Sequence, residues 1–135
     1  MPLVHITLKK PRPEAERRAL ADAVHAALVS ALGVPADDRF QVVSSAQDDL
    51  IYDPGYLGVS RDDDLVVVQV QLSTGRGVAQ KQALFRALAD ETAKTGLDPR
   101  NLFVTLVEIA RENWSFGDGI AHYAETVPPH LAAAG

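Results

Sequence analysis

The chain repeats itself. Leu84 lies 64 positions after Leu20, and the same offset pairs Leu8 with Leu72, Arg12 with Arg76, Ala19 with Ala83, Ala23 with Ala87 and Pro35 with Pro99. A repeat of this kind decides the fold before any single element does. Each half reads strand, helix, strand. One such unit cannot bury both its sheet face and its helix stripe, whereas two can share one sheet with both helices on the same side. The expected architecture is α+β, two tandem β-α-β units related by a pseudo-twofold within one domain spanning 1–135. The first unit covers about 2–46, a connection about 47–63, the second unit about 64–110, and a C-terminal segment 111–135 has no counterpart in the first half.

The elements follow from periodicity. Residues 2–8 are rich in β-formers, and Pro11 and Pro13 end the strand because proline cannot continue a ladder. From Glu14 to Leu32, Ala15, Ala19, Leu20, Ala23, Val24, Ala27, Leu28 and Ala31 recur at spacings of three and four, which predicts a helix with one buried stripe. Glu14 and Glu16 suit its positive end, and Gly33 followed by Pro35 stops it. Arg39 to Ser45 alternates as a half-buried strand. The stretch 48–64, with Asp53-Pro54-Gly55 and Asp62-Asp63-Asp64, reads as a connection containing a short edge strand at Leu50 to Tyr52. Leu65 to Leu72 is the strongest strand signal, with Val66, Val68, Val70 and Leu72 on one face. A second helix runs from about Ala79 to Lys94 on a stripe of Ala79, Leu84, Ala87, Leu88 and Thr92, and Leu102 to Ile109 is the last strand. The tail from Thr126 to Gly135 reads as a flexible or partner-dependent end.

The charge and composition exclude several classes. A net charge of -5, without a Lys/Arg run, argues against a phosphate-tracking nucleic-acid surface. Without cysteine there is no disulfide framework, thiolate zinc site or cysteine nucleophile. Neither a signal peptide nor a membrane span is legible, so a cytoplasmic, soluble protein is expected. His5, His25, His122 and His130 lack metal-ligand spacing and read as core or solvated histidines, and Gly75 and Gly77 lack the Lys-Ser/Thr of a phosphate loop. No cofactor or metal is expected.

Pro2 carries the chemistry. If Met1 is removed, Pro2 becomes a secondary amine, a base when neutral and an acid or electrostatic catalyst when protonated; with Met1 retained it is a tertiary amide and does neither. Taken alone, Pro2 reads first as an ordinary Met-Pro start in which a proline opening a strand spares a ladder donor. The repeat adds a second feature. With the two first strands antiparallel about a pseudo-twofold, Pro2 lies near the end of the corresponding strand, where Thr74-Gly75-Arg76 sits. A guanidinium there would clamp a carboxylate at two points, although Arg76 taken alone reads first as a solvated loop residue.

Pro2, the run Val34-Pro35 with Asp37-Asp38-Arg39-Phe40-Gln41-Val42-Val43, the loop Ser73 to Gly77, and Trp114-Ser115-Phe116-Gly117-Asp118-Gly119 together resemble the tautomerase superfamily, and within it the malonate semialdehyde decarboxylase-like group. The resemblance extends from Pro2 to about Tyr123. It implies Pro2 as catalytic amine, Asp38 as its acidic partner, Arg76 as substrate-carboxylate ligand, Trp114 and Phe116 as an apolar wall, and a homotrimer. The family decarboxylases carry a second arginine two residues before Arg76, where this chain has Thr74. Asp37 competes with Asp38 as a turn residue, and Trp114 and Phe116, sharing one face of an extended segment, equally suit a core or an interface.

The implied activity is a cofactor-independent reaction of a small oxo acid, as a lyase (decarboxylase or hydratase) or an isomerase (keto-enol tautomerase). Apolar Trp114 and Phe116 and the charge of Arg76 favour a neutral amine, whereas Asp38 favours a prolinium. The rival readings are a non-catalytic binding or structural module with Pro2 blocked by Met1, and a ligand-sensing domain of the ferredoxin-like class. A sheet with helices on one face leaves its other face needing cover, so oligomerisation is expected on either reading.

Overall fold

The computed structural model describes residues 2–132. Its elements are β1 (Pro2–Leu8), α1 (Glu14–Leu32), β2 (Phe40–Ser45), β3 (Val66–Ser73), α2 (Val78–Ala93), β4 (Leu102–Ile109) and the short helices α3 (His122–Glu125) and α4 (Pro129–Ala132). The strands form one sheet in the order β2-β1-β3-β4. Within each half the strands are parallel, β1 with β2 and β3 with β4, as a helical crossover requires, and the halves join through antiparallel β1 and β3.

The repeat appears in this central ladder as a local twofold. Pro2 faces Leu72, Leu8 faces Val66, and His5 faces Gln69, so adding 64 to any β1 residue exchanges the partners of a pair. The offset falls to 63 across the outer strands, where Leu3 faces Phe40 and Val67 faces Phe103. The first half therefore spends one more residue between its proline, Pro35, and its outer strand, in the turn that carries Asp38.

Both helices pack on one face. Val4, Ile6 and Leu8 of β1 and Val66, Val68, Val70 and Leu72 of β3 meet Leu20, Val24, Ala27 and Leu28 of α1 and Leu84 and Leu88 of α2. Burying a side chain of this size stabilises by about 1.5–3 kcal/mol, and the stripe spacing of both helices exists to deliver it. Helix α1 closes on Gly33, whose φ of 68° is the left-handed cap a side chain would resist. The opposite face exposes Phe40, Val42, Phe103 and Val107. No described helix is long and apolar enough to cross a membrane.

Four expectations need correction. Leu50 to Tyr52 forms no strand; Leu50 N–H instead donates to Ala46 C=O at 2.8 Å, a turn that leaves the segment's backbone unpaired with the sheet. Ala15 and Ala79 lie on the exposed first turns, so the buried stripes begin a turn later, at Ala19–Leu20 and Ala83–Leu84. Arg39 precedes β2, its side chain being held by Asp22 and Gln41 at 2.6 and 2.8 Å. The tail is docked over part of its length: Leu131 is fully buried and Arg111 Nη2 donates to its carbonyl at 3.0 Å. The tail's last residues, 133–135, and Met1 lie outside the described residues.

Candidate active site

The site is assembled by strand register. Pro2 is buried at the start of β1 opposite Leu72, one residue before β3 ends at Ser73. The chain then turns through Thr74, whose N–H donates to Ile109 C=O at 3.1 Å, and Gly75, whose φ of 128° admits essentially only glycine. That turn sends Arg76 back into the body, where only 6% of it is exposed and Nη1 donates to Ser73 C=O at 3.1 Å. Thr74 itself stays exposed.

Asp38 reaches the same end because β2 is parallel to β1 and begins beside Leu3. Its turn is fastened from three sides. Asp38 N–H donates to Pro35 C=O at 3.0 Å, and Arg39 ties the turn to Asp22 on α1. His25 Nε2 lies 2.7 Å from Ala36 C=O. A carbonyl only accepts, so Nε2 carries the hydrogen and donates, which gives this buried core histidine a positioning task. Asp38 is half-buried while Asp37 is exposed, and it is Asp38 whose charge acts on the group described next.

That group is Tyr123, which the sequence reading passed over. Burial, then the charge of Asp38, push its phenol up to about 12, against the opposing pull of Arg76. Tyr123 is therefore a neutral donor at physiological pH, within electrostatic reach of both Asp38 and Arg76. Burial likewise holds the Arg76 guanidinium below its usual value, opposed by the Glu108 carboxylate and Tyr123 and assisted by Arg111. Arginine's ordinary value lies so high that Arg76 stays cationic. Glu108 is shared with Lys81 at 2.5 Å.

The segment after β4 closes this end. Trp114 is 9% exposed and stacks on Phe116 with ring centres 5.6 Å apart at 21°. Phe116 meets the Tyr123 edge at 4.7 Å and the tilted His122 ring at 5.5 Å. The reversal that folds Tyr123 back onto Phe116 runs through Gly117-Asp118-Gly119, all at positive φ, Asp118 at 58°. Phe116 N–H donates to His122 Nδ1 at 3.2 Å, pinning the loop across its base. Trp114 Nε1 is buried without a hydrogen-bond partner, so its packing and not its polar tip holds it there.

The structure thus gathers Arg76, Asp38, Trp114 and Phe116 with the previously unassigned Tyr123 and His122 at the end of the sheet where Pro2 begins. The legible signal for the last two was the paired glycines, which imply that the residues beyond them return onto Trp114 and Phe116. Among the described residues no group of three His, Cys, Asp or Glu side chains could hold a metal ion.

Comparison with known proteins gives a consistent answer. Two family models, each described as "Tautomerase enzyme", match residues 38–117 and 2–52. The chain is 35% identical over 127 residues to the probable tautomerase YusQ of Bacillus subtilis (strain 168), covering 93% of this chain and 100% of the relative. It superposes with a TM-score of 0.87 on the crystal structure of FG41 malonate semialdehyde decarboxylase inhibited by 3-bromopropiolate, at 37% identity over 93% of this chain and 99% of that one. Fused 4-OT, a wild-type symmetric trimer, shares the fold with a TM-score of 0.73 at 24% identity, covering 90% and 98% of the two chains. With its tandem β-α-β units and a profile match over more than half its length, the chain belongs to the tautomerase superfamily, in the malonate semialdehyde decarboxylase-like group.

Proposed function

We propose that the chain is a cofactor-independent enzyme acting on a small oxo acid through the amine of Pro2, exposed once Met1 is removed. One observation carries this reading. The β1–β3 register puts Pro2 opposite Leu72, four residues before the buried cation Arg76, so a substrate carboxylate on Arg76 would lie at the same end of the sheet as the amine.

The reaction this best suits is decarboxylation of a 3-oxo acid. Arg76 holds the carboxylate and the prolinium, favoured by Asp38, donates to the carbonyl oxygen. The bond to the carboxylate then breaks. Its electron pair forms the enol double bond, the carbonyl π pair takes the prolinium proton and carbon dioxide leaves; the enol then takes a proton from water at carbon while its O–H proton returns to the Pro2 amine. The likeness to malonate semialdehyde decarboxylase points to malonate semialdehyde as the first substrate to try. Thr74 leaves a single arginine to hold the carboxylate, and the neutral Tyr123 phenol supplies an additional donor. Hydration of an unsaturated acid uses the same protonated amine. A second reading, keto-enol tautomerisation with neutral Pro2 as base, is favoured by the apolar Trp114–Phe116 pair and the charge of Arg76.

The exposed apolar residues Phe40, Val42, Phe103 and Val107, on the sheet face away from the helices, support a homotrimer in which neighbouring copies cover them. The deciding experiment is the intact mass of untagged protein followed by assays with malonate semialdehyde and phenylpyruvate. A mass lacking methionine with turnover of either substrate establishes the amine catalyst and names the reaction class. Retained methionine with no turnover replaces this reading with a non-catalytic binding module.

A further inference from the structure

The twofold that builds the candidate active site builds a second place like it at the other end of the sheet. The offset of 64 carries Pro2 to Val66, Arg76 back to Arg12 and Thr74 back to Lys10; the ladder pair Pro2–Leu72 becomes Val66–Leu8. Across the outer strands, where the offset is 63, Asp38 becomes Asn101. The reactive members are thus replaced by groups without acid–base chemistry: an amine by valine and a carboxylate by a carboxamide. The cation is kept, and a second one, Lys10, stands where the active end has Thr74.

Arg12 is held much as Arg76 is. Its side chain is 9% exposed, and Nη2 donates to Asp64 C=O at 3.0 Å. Nη1 is buried and makes no hydrogen bond. A buried guanidinium nitrogen without a partner is costly, and it belongs to a residue that lines a groove of about 440 Å³ together with Lys10, Ala15, Glu16, Leu20, Asp64 and the Thr95-Gly96-Leu97 turn. That volume lies within the range of small-molecule sites, about 300–1,000 Å³. One wall is the first turn of the 19-residue helix α1, whose positive end favours an anion.

We propose that this groove is a second, non-catalytic site that binds a small carboxylate between Arg12 and Lys10. The groove already contains an internal stand-in for that ligand. The Asp64 carboxylate lies 2.5 Å from Lys10 Nζ and 3.8 Å from Arg12 Nη2. It is half exposed and joined to Arg12 at salt-bridge distance only, so an incoming carboxylate displaces it toward solvent and takes the two-point contact with the guanidinium that Asp64 does not make. Glu16 also lines the groove. The site works without Pro2 chemistry, so it stands or falls independently of the catalytic reading.

The test uses the intact protein with malonate as probe, in an Arg76→Ala background that blinds the active end. Binding is followed by calorimetry and by the Arg12 side-chain Nε–H and Gly96 amide NMR signals. Saturable binding of one malonate per chain that moves both signals is expected. Asp64→Asn should tighten it several-fold, by removing the internal competitor, and Lys10→Ala should weaken it about tenfold or less, Lys10 being half exposed. Arg12→Gln should abolish it; Lys10→Ala and Asp64→Asn keep the proposal testable if that variant fails to fold. Absence of saturation in both Arg76→Ala and its Asp64→Asn derivative overturns the proposal. So does binding of inorganic phosphate with none of malonate, which would assign the groove to another anion.

Discussion

Replacing Arg76 tests the candidate site most directly, because the structure assigns that side chain few other tasks. It is 6% exposed, and its one described hydrogen bond, to Ser73 C=O, is to its own turn. Hydrogen bonds to a charged group contribute about 1.5–3 kcal/mol, which at 1.36 kcal/mol per decade is about tenfold to a hundredfold. In decarboxylation, negative charge leaves the carboxylate and grows on the carbonyl oxygen, so Arg76 binds the ground state at least as well as the transition state. Its loss should therefore appear in KM, with kcat changed much less. Arg76→Ala is expected to raise KM for malonate semialdehyde by about tenfold to a hundredfold, and Arg76→Lys, which keeps the charge and loses the fork, by less. Truncating a side chain that is 6% exposed and withdrawing the donor from Ser73 C=O should also lower the urea midpoint of Arg76→Ala, an effect read separately from KM. Steady-state kinetics beside a urea melt separate the two effects. An unchanged KM in a folded variant would show that Arg76 does not hold the substrate.

Other consequences follow from the same geometry. Spectrophotometric titration should find the Tyr123 phenol ionising near 12; Asp38→Asn should lower that value and Arg76→Ala raise it, and a Tyr123 ionising at its ordinary value would remove it from this cluster. Because the folded-state value exceeds the ordinary 10, Tyr123 makes stability fall as pH climbs from about 10 to about 12, a slope that Tyr123→Phe should reduce. Trp114 is the chain's single tryptophan, so 3-oxo acid analogues bound at Arg76 should change its fluorescence; a silent signal during saturating binding would place the ligand elsewhere. Leu28→Ala, at a fully buried position between helix and sheet, should cost about 2–5 kcal/mol by urea unfolding. Val42→Glu with Phe103→Glu should reduce sedimentation from three chain masses to one, and an unaffected trimer would exclude the exposed sheet face as its interface.

What could be read from the sequence was whatever periodicity or duplication records. The 64-residue offset revealed two like units, and on the condition that their first strands meet antiparallel, which the β1–β3 ladder bears out, it gave the approach of Pro2 to the Thr74–Arg76 turn. The alternation of β3 located its buried face correctly. Tyr123 was not legible, because its placement depends on a reversal at Gly117–Gly119 and on two charges, Asp38 and Arg76, that reach it only through the tertiary fold. The docked tail was misread for a related reason. Pro128, Pro129 and a run of alanines carry no periodic stripe, and one leucine, Leu131, with Arg111 bonded to its carbonyl, is enough to seat it.

The asymmetry between the two ends has a chemical cause that the duplication makes visible. A chain has one N-terminal amine. When a β-α-β unit is duplicated within one polypeptide, the strand opening the second unit, here at Val66, joins the chain through an ordinary amide, and even a proline there would have no basic nitrogen. One end of the sheet can therefore keep an amine catalyst and the other cannot, whatever else the sequence retains. The second end differs correspondingly: counted back from the outer strands, Asn101 stands where the first end has Asp38. Arg12, 64 positions before Arg76, is likewise buried, with one nitrogen unpaired. The loops follow the same division. Parallel pairing places the end of β2 beside Leu8 and the end of β4 beside Leu72, so the connection after β2 covers the Arg12 end and the Trp114–Tyr123 segment covers the Pro2 end. The aromatic wall therefore stands at the Pro2 end, beside the nitrogen on which the proposed reaction depends.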